Sequence, residues 1–336
     1  MELYEKSGYL NMPEIIDSGP PFIFIAAARG TGKTYGALKH YTAQRRQIML
    51  LRRTQNEADL QLDHDSSSFL EPMDDLDEQY YIEKKKSVGM VMLQDDPEDF
   101  PLAFVAALST FANVRGSFNF QRVTDIFYDE FICEPHVRKI KNEGMALANL
   151  YESVNRNREL SGRDPVKLVC AANSVNMAND IFLYFNLIQD AEQMLASGED
   201  MRLIGNKLLI IPQRSPVSMK KSKTALYQAV DKEFSDMAIK NKFILNDFSY
   251  VGRRNLRDYE LLFNAGLLYF YRHKADNIFY VTQTFGQTKN RYGSGYAALE
   301  KLRRDKWRWP ALYLDGMIYF DSYQSIVLFE KYFDLS

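Results

Sequence analysis

The chain reads as an α/β protein, a parallel sheet flanked by helices followed by a smaller α+β domain, on three observations. An apolar run at Phe22–Ala26 passes through a tight turn directly into a helical segment at Lys33–Thr42. Further short apolar strands alternate with helical segments as far as about Leu187, the signature of parallel strands joined by helical crossovers. The pattern then loosens, and short aromatic strands return only from about residue 241. These shifts set the domains at 1–205 and 241–336, with a linker over 206–240 that includes "IIPQRSP" and Lys220-Lys221.

Taken in order, Phe22–Ala26 is short, apolar and β-rich, as a buried strand requires. Gln47–Leu51 is a second strand, ending in Arg52-Arg53. Glu57–Asp77 is acidic and holds Ser66-Ser67-Ser68, so it reads as loop or weak helix. "YYIEKKKSVGMVML" reads as a hairpin turning near Lys86–Gly89. Leu102–Leu108, Val123–Tyr128 and Val166–Ala171 are further buried strands. Met145–Asn157 has Met145, Leu147, Leu150 and Val154 at helical spacing. In the last hundred residues "GLLYFYR", "NIFYVTQT" and "LYLDGMIYFD" read as strands and Gln324–Phe333 as a closing helix.

Composition excludes several classes. With 46% hydrophobic and 26% charged residues the chain is an ordinary globular protein. No apolar run approaches the roughly 20 residues of a membrane helix, and the first residues lack the apolar core of a signal peptide. Cys133 and Cys170 are the only cysteines, and the four histidines show no ligand spacing. A reducing cytoplasm, with no membrane and no secretion, is expected. The net charge of −2 hides an asymmetry: residues 1–213 sum to −9 and residues 214–336 to +7, while residues 57–100 alone sum to −11. The acidic block reads as a solvated insertion. The basic C-terminal third hints at a polyanionic partner.

Residues 27–34, Ala-Ala-Arg-Gly-Thr-Gly-Lys-Thr, follow G-x-x-x-x-G-K-[ST] except that Ala27 replaces the leading glycine. Backbone N–H groups of such a turn point at phosphate oxygens, and Gly30 and Gly32 permit the turn and the close approach. The helix N-terminus adds partial positive charge at the same place. Lys33 reaches the terminal phosphates and the Thr34 hydroxyl binds Mg²⁺. With a strand before and a helix after, Arg29, Gly30, Thr31, Gly32, Lys33 and Thr34 form a nucleotide site. Ala27, at the strand exit, tolerates its methyl group.

"VTDIFYDEF" ends an apolar strand in Asp129-Glu130, roughly 95 residues after Lys33. A carboxylate at that tip suits Mg²⁺, and its neighbour can activate water. Strand neighbours point to opposite faces, so both serve one nucleotide only if the chain turns there. The pair argues for hydrolysis of ATP and against a small-molecule kinase, which has no need of a water-activating glutamate. "ESVNRNREL" supplies Arg156 and Arg158, about 200° apart on a helix, so only one can face a given site. "VCAANS" ends a strand in Asn173, a candidate for holding the water or sensing the γ-phosphate. Arg29 either reaches phosphate or binds Glu130.

"AARGTGKTYG", "LLRR", "IFYDEFI", "LYESVNRNRE" and "ANSVNMANDIFLYFNL", in this order and spacing, resemble the DNA-packaging ATPases of small tailed phages with protein-primed genomes. "LDGMIYFD…LFEKYF" is a weaker match. The resemblance implies an ASCE-type P-loop ATPase domain and a ring of five identical subunits. It also implies an RNase H-like, nuclease-derived C-terminal domain that has lost catalysis. Lys33 and Thr34 become phosphate and Mg²⁺ ligands, Asp129 the Mg²⁺ carboxylate, Glu130 the base, and Arg156 a finger acting in trans. The implied partners are double-stranded DNA, the phage portal or prohead, and a structural RNA; the implied location is the host cytoplasm, transiently docked on the prohead. The alternative is a ring helicase or another ASCE ATPase working on single strands. Asp247, Asp276, Asp315 and Asp321 form no recognisable cluster, so nuclease activity is not expected. A DNA grip needs only basic groups on phosphates. The candidates are Lys84, Lys85 and Lys86 in the hairpin, and Arg138, Lys139 and Lys141 after the carboxylates.

Overall fold

The computed structural model describes residues 1–94, 100–114, 116–133, 139–173, 177, 179–221, 224–225, 229 and 250–335. Arg138 and Asp247, singled out above, lie outside the described residues, as does most of 222–249. The chain divides into two compact units, residues 1–176 with 190–244, and residues 177–189 with 245–336.

In the first unit the order is α1 (Met12–Asp17), β1 (Phe22–Ala27), α2 (Lys33–Ala43), β2 (Ile48–Arg52), α3 (Gln55–Leu60) and α4 (Leu70–Asp75). It continues with β3 (Tyr80–Lys85), β4 (Val88–Leu93), β5 (Pro101–Ala107), β6 (Asp125–Asp129), α5 (Glu143–Asn155) and β7 (Lys167–Asn173). After α6 (Asp180–Tyr184), which belongs to the second unit, come α7 (Ile188–Ser197), β8 (Met201–Ile204), β9 (Lys207–Ile210) and α8 (Pro216–Lys221). Among the described residues these strands form one sheet in the order β3-β4-β5-β2-β6-β7-β1-β9-β8. The run from β5 to β9 is parallel, and the β3–β4 hairpin and β8 add antiparallel edges.

Central strands of a parallel sheet are covered on both faces, so they must be apolar throughout rather than alternating. Ile23, Phe24, Ile25, Leu50, Ile126, Phe127, Val169 and Cys170 are all buried accordingly. The turn from β1 into α2 needs backbone that L side chains resist: Gly30 has φ 67° and Gly32, the N-cap of α2, has φ 82°. After β2 the chain enters α3 through a capping box, the Thr54 hydroxyl accepting from the Glu57 N–H and the Glu57 carboxylate accepting from the Thr54 N–H. That carboxylate also accepts from the Arg53 N–H at 3.0 Å, which fixes the β2 exit.

Three expectations need correction. The linker does not begin at 206: Lys207–Ile210 is a sheet strand, its Phe22↔Lys207 to Ile25↔Ile210 register set directly beside β1, and Pro216–Lys221 is helical. Four apolar residues between two prolines and a glycine offered no periodicity to read. The helix predicted to reach Asn157 stops at Asn155, because Arg156 (φ 44°) and Asn157 (φ 58°) are left-handed. "LYLDGMIYFD" is not one strand, since its first three residues end a helix.

The second unit holds β10 (Tyr259–Ala265), β11 (Leu268–His273), β12 (Phe279–Thr282), β13 (Arg291–Tyr292), α9 (Tyr296–Asp305), α10 (Trp309–Leu314), β14 (Ile318–Phe320) and α11 (Tyr323–Phe333). Its described strands form a mixed sheet, β13-β10-β11-β12-β14. The aromatic strands supply the core: Phe263, Phe270, Phe320 and Phe329 pack with Trp309, which is 6% exposed against 66% for Trp307. Asp321 accepts from the hydroxyls of Thr282 at 2.7 Å and Ser325 at 2.5 Å, tying β14 and α11 to β12.

Candidate active site

Strand register explains how residues 140 apart meet. β2, β6, β7 and β1 are neighbours in the sheet, and Ala27 pairs with Asn173, Ala171 with Asp129, and Tyr128 with Leu51. The C-terminal tips of these strands therefore set Arg52, Asp129, Asn173 and the phosphate loop in a row along one sheet edge. A pocket of about 290 Å³ opens there, lined by residues 29–35 with Asp129, Glu130, Ala172 and Asn173.

Inside the pocket Lys33 is folded back on the loop. Its ammonium donates to Ala27 O at 3.1 Å, Ala28 O at 2.9 Å and Asn173 Oδ1 at 3.2 Å. Burial pulls its pKa down to about 8, against the carboxylates of Asp129 and Glu130, which favour the charged form. The Thr34 hydroxyl donates to Asp129 at 3.0 Å. Asp129 is buried, and burial pushes its carboxyl up, partly offset by the Arg52 guanidinium. Glu130 stands at φ 56°, the turn that lets two consecutive carboxylates serve one site.

Arg52 is the residue the sequence reading left without a role. It donates to Asp129 Oδ2 at 2.6 Å and to Glu130 Oε2 at 2.8 Å, clamping both carboxylates. The sequence reading offered Arg29 as a partner for Glu130; the bond to its Oε2 comes from Arg52, while Arg29 lines the pocket. An arginine at the tip of an apolar strand was the available signal, but it needs the β2–β6 pairing to acquire meaning.

The remaining candidates lie elsewhere. α5 runs down from the carboxylate edge, so Arg156 sits at the foot of the sheet, a β7 length or about 20 Å from this chain's own loop at roughly 3.3 Å per residue. It is exposed and its Nε donates to Ser153 O at 3.2 Å. Arg158 is buried, its guanidinium donating to Gln121 O at 2.6 Å. Helical phase does not separate the two arginines, because both lie beyond the helix; burial does. In the hairpin, Lys84 pairs with Asp59 at 2.8 Å, Lys85 lies 6.0 Å from the Phe118 ring centre, and Lys86 donates to Ser117 Oγ at 3.3 Å. β4 is antiparallel to β5, so the hairpin turn emerges at the nucleotide edge of the sheet. Lys139 and Lys141 are exposed just before α5.

A strand-edge phosphate loop facing a paired aspartate and glutamate defines the class: a P-loop nucleotide-binding protein with a carboxylate pair at the opposite strand tip. The chain belongs to the Podovirus DNA encapsidation protein (Gp16) family, which it matches over residues 4–294. It is 27% identical over 268 residues to the DNA packaging proteins of Bacillus phage PZA and Bacillus phage phi29, covering 77% of this chain and 73% of each relative. Its fold is similar to the Phi-28 gp11 DNA packaging motor (TM-score 0.68, 16% identity, 98% of both chains). It is also similar to the bacteriophage Phi-29 genome packaging motor assembly (TM-score 0.63, 21% identity, 98% of this chain and 100% of that one). The packaging-motor resemblance read from the central motifs is therefore correct.

Proposed function

We propose that the chain hydrolyses ATP at this pocket and uses the reaction to move double-stranded DNA into a phage prohead. The observation that carries the reading is the convergence of Lys33, Thr34, Asp129, Glu130 and Asn173 on one pocket at the end of β1, β6 and β7. The donor set fits Mg²⁺: the Thr34 hydroxyl and the Asp129 carboxylate are hard oxygen ligands that already meet at 3.0 Å. Bound there, Mg²⁺ supplies charge neutralisation on the phosphates. Lys33 leaves the loop carbonyls and Asn173 for the terminal phosphates. Glu130, once released by Arg52, takes the proton of the attacking water; the water oxygen bonds to the γ-phosphorus as the bond to the β-phosphate oxygen breaks.

Arg156 is too far from its own loop to act there, which supports action on a neighbouring subunit of a ring, in this family five. The exposed Lys139 and Lys141, next to the carboxylate strand, and the hairpin lysines Lys84, Lys85 and Lys86 at the nucleotide edge of the sheet are the candidates for a DNA grip. A portal or prohead and a structural RNA complete the partners, with the protein working in the host cytoplasm.

Glu130→Gln should retain ATP binding while turnover falls at least about 100-fold. Near-parental turnover removes Glu130 from its role. Duplex DNA should stimulate phosphate release more than single strands; the reverse order favours a helicase. Mixing Arg156→Ala with Glu130→Gln subunits should restore part of the activity.

A further inference from the structure

The segment after β9 does more than leave the domain. β9 runs parallel to β1, so the chain beyond it emerges at the same sheet edge as the phosphate loop. α8 is held there by built contacts. Tyr4 donates its hydroxyl to Arg214 O at 2.9 Å, Lys220 donates to Ser7 O at 3.4 Å, and Val217 and Ser218 are buried. A Cβ placed on Gly8 would lie 3.0 Å from Pro216 Cβ, a close fit between α8 and the N-terminal segment. At the end of α8, the Lys221 ammonium donates to Arg29 O at 3.1 Å. It occupies the space beside Gly30: a Cβ there would lie 1.8 Å from Nζ. Gly30 is required for its left-handed backbone, and the Lys221 ammonium fills the space beside it.

Resting on the nucleotide reading above, we propose that Lys221 is a second phosphate-binding lysine, which moves from the Arg29 carbonyl to the phosphate tail of a bound nucleoside triphosphate. An ammonium has three donors, and Arg29 O is a neutral acceptor. Phosphate oxygens of a nucleotide seated on the loop would offer shorter, charge-assisted bonds. Lys221 is also near enough to Lys33 for their charges to oppose each other, a repulsion that a polyanion between them removes. Lys33 reaches the phosphates from the helix side of the loop, and Lys221 from the outer side.

The test uses full-length protein, a fluorescent ATP analogue with Mg²⁺, and three variants. Lys221→Ala should weaken binding about tenfold, Lys221→Arg should restore it to within about threefold, and Lys221→Gln should stay weak although it can still bond Arg29 O. All three should melt with the parent, and the salt dependence of binding should fall in the neutral variants. Parental affinity in Lys221→Ala, or in Lys221→Gln, overturns the assignment and leaves a loop-bracing contact only. A parent that does not bind the analogue, or Lys33→Ala protein that binds as tightly, overturns the nucleotide site itself and Lys221 with it.

Discussion

Replacing Arg52 by glutamine tests the clamp at the strand tips. The Arg52 side chain is 11% exposed and its partner Asp129 is 4% exposed, so the substitution strands a carboxylate out of water. Breaking such a pair costs about 3–5 kcal/mol. Thr34 still donates to Asp129, and the glutamine amide can supply one bond, which brings the expectation to about 2–3 kcal/mol. For a unit of this size that is a drop of roughly 4–12 °C in melting temperature. The pH dependence has a definite sign. Burial already raises the native pKa of Asp129, and losing the guanidinium raises it further. The native variant therefore binds more protons than the unfolded chain between the ordinary carboxylate pKa and the raised one, and stability falls as pH rises across that window. The deficit relative to the parent should be small at pH 5 and larger at pH 8. Thermal melts followed by circular dichroism at both pH values measure it. A variant that melts within about 1 °C of the parent at pH 8, or a deficit greater at pH 5, would falsify the clamp.

Other outcomes follow from neighbouring contacts. With burial holding its pKa at about 8, Lys33 is partly neutral above that pH, and phosphate oxygens favour the charged form. Nucleotide binding at pH 8.5 should take up a proton that binding at pH 6.5 does not, visible as a buffer-dependent enthalpy in titration calorimetry. Glu143→Gln leaves Arg53 without its 2.9 Å ion pair in a site where both side chains are under 10% exposed, so stability should fall about 3 kcal/mol in denaturant melts. Arg158→Ala should lower the melting temperature by several degrees, since it removes a buried side chain with its 2.6 Å bond to Gln121 O, whereas Arg156→Ala should leave the melt unchanged and reduce only assembled ATPase activity.

Much of the site was legible because its chemistry is local. Glycine at φ > 0, a helix starting at the turn, and lysine and hydroxyl in the next two places are requirements of one short loop, so residues 27–34 display them in sequence. Asp129-Glu130 was legible for the same reason, and even its turn followed from strand alternation. Arg52 was not, since a cation at a strand tip is ordinary until the neighbouring strand is known. The structural part of Arg158 was not legible, because its bond to Gln121 O is non-local. The second unit's Tyr259–Ala265 strand went unread, its apolar residues interrupted by Glu260 and Asn264.

The amino-acid sequence by itself determined the phosphate loop, the carboxylate pair and the alternation that makes a parallel sheet, because each depends on residues within a few positions of one another. Only the tertiary structure decided which distant groups join them. Sheet order brought β2 beside β6 and so put Arg52 on both carboxylates; β9 beside β1 delivered Lys221 to the loop; and the downward course of α5 carried Arg156 a full strand length away. Pairing order in a sheet is set by the burial of whole faces, a sum over many residues that no short stretch records.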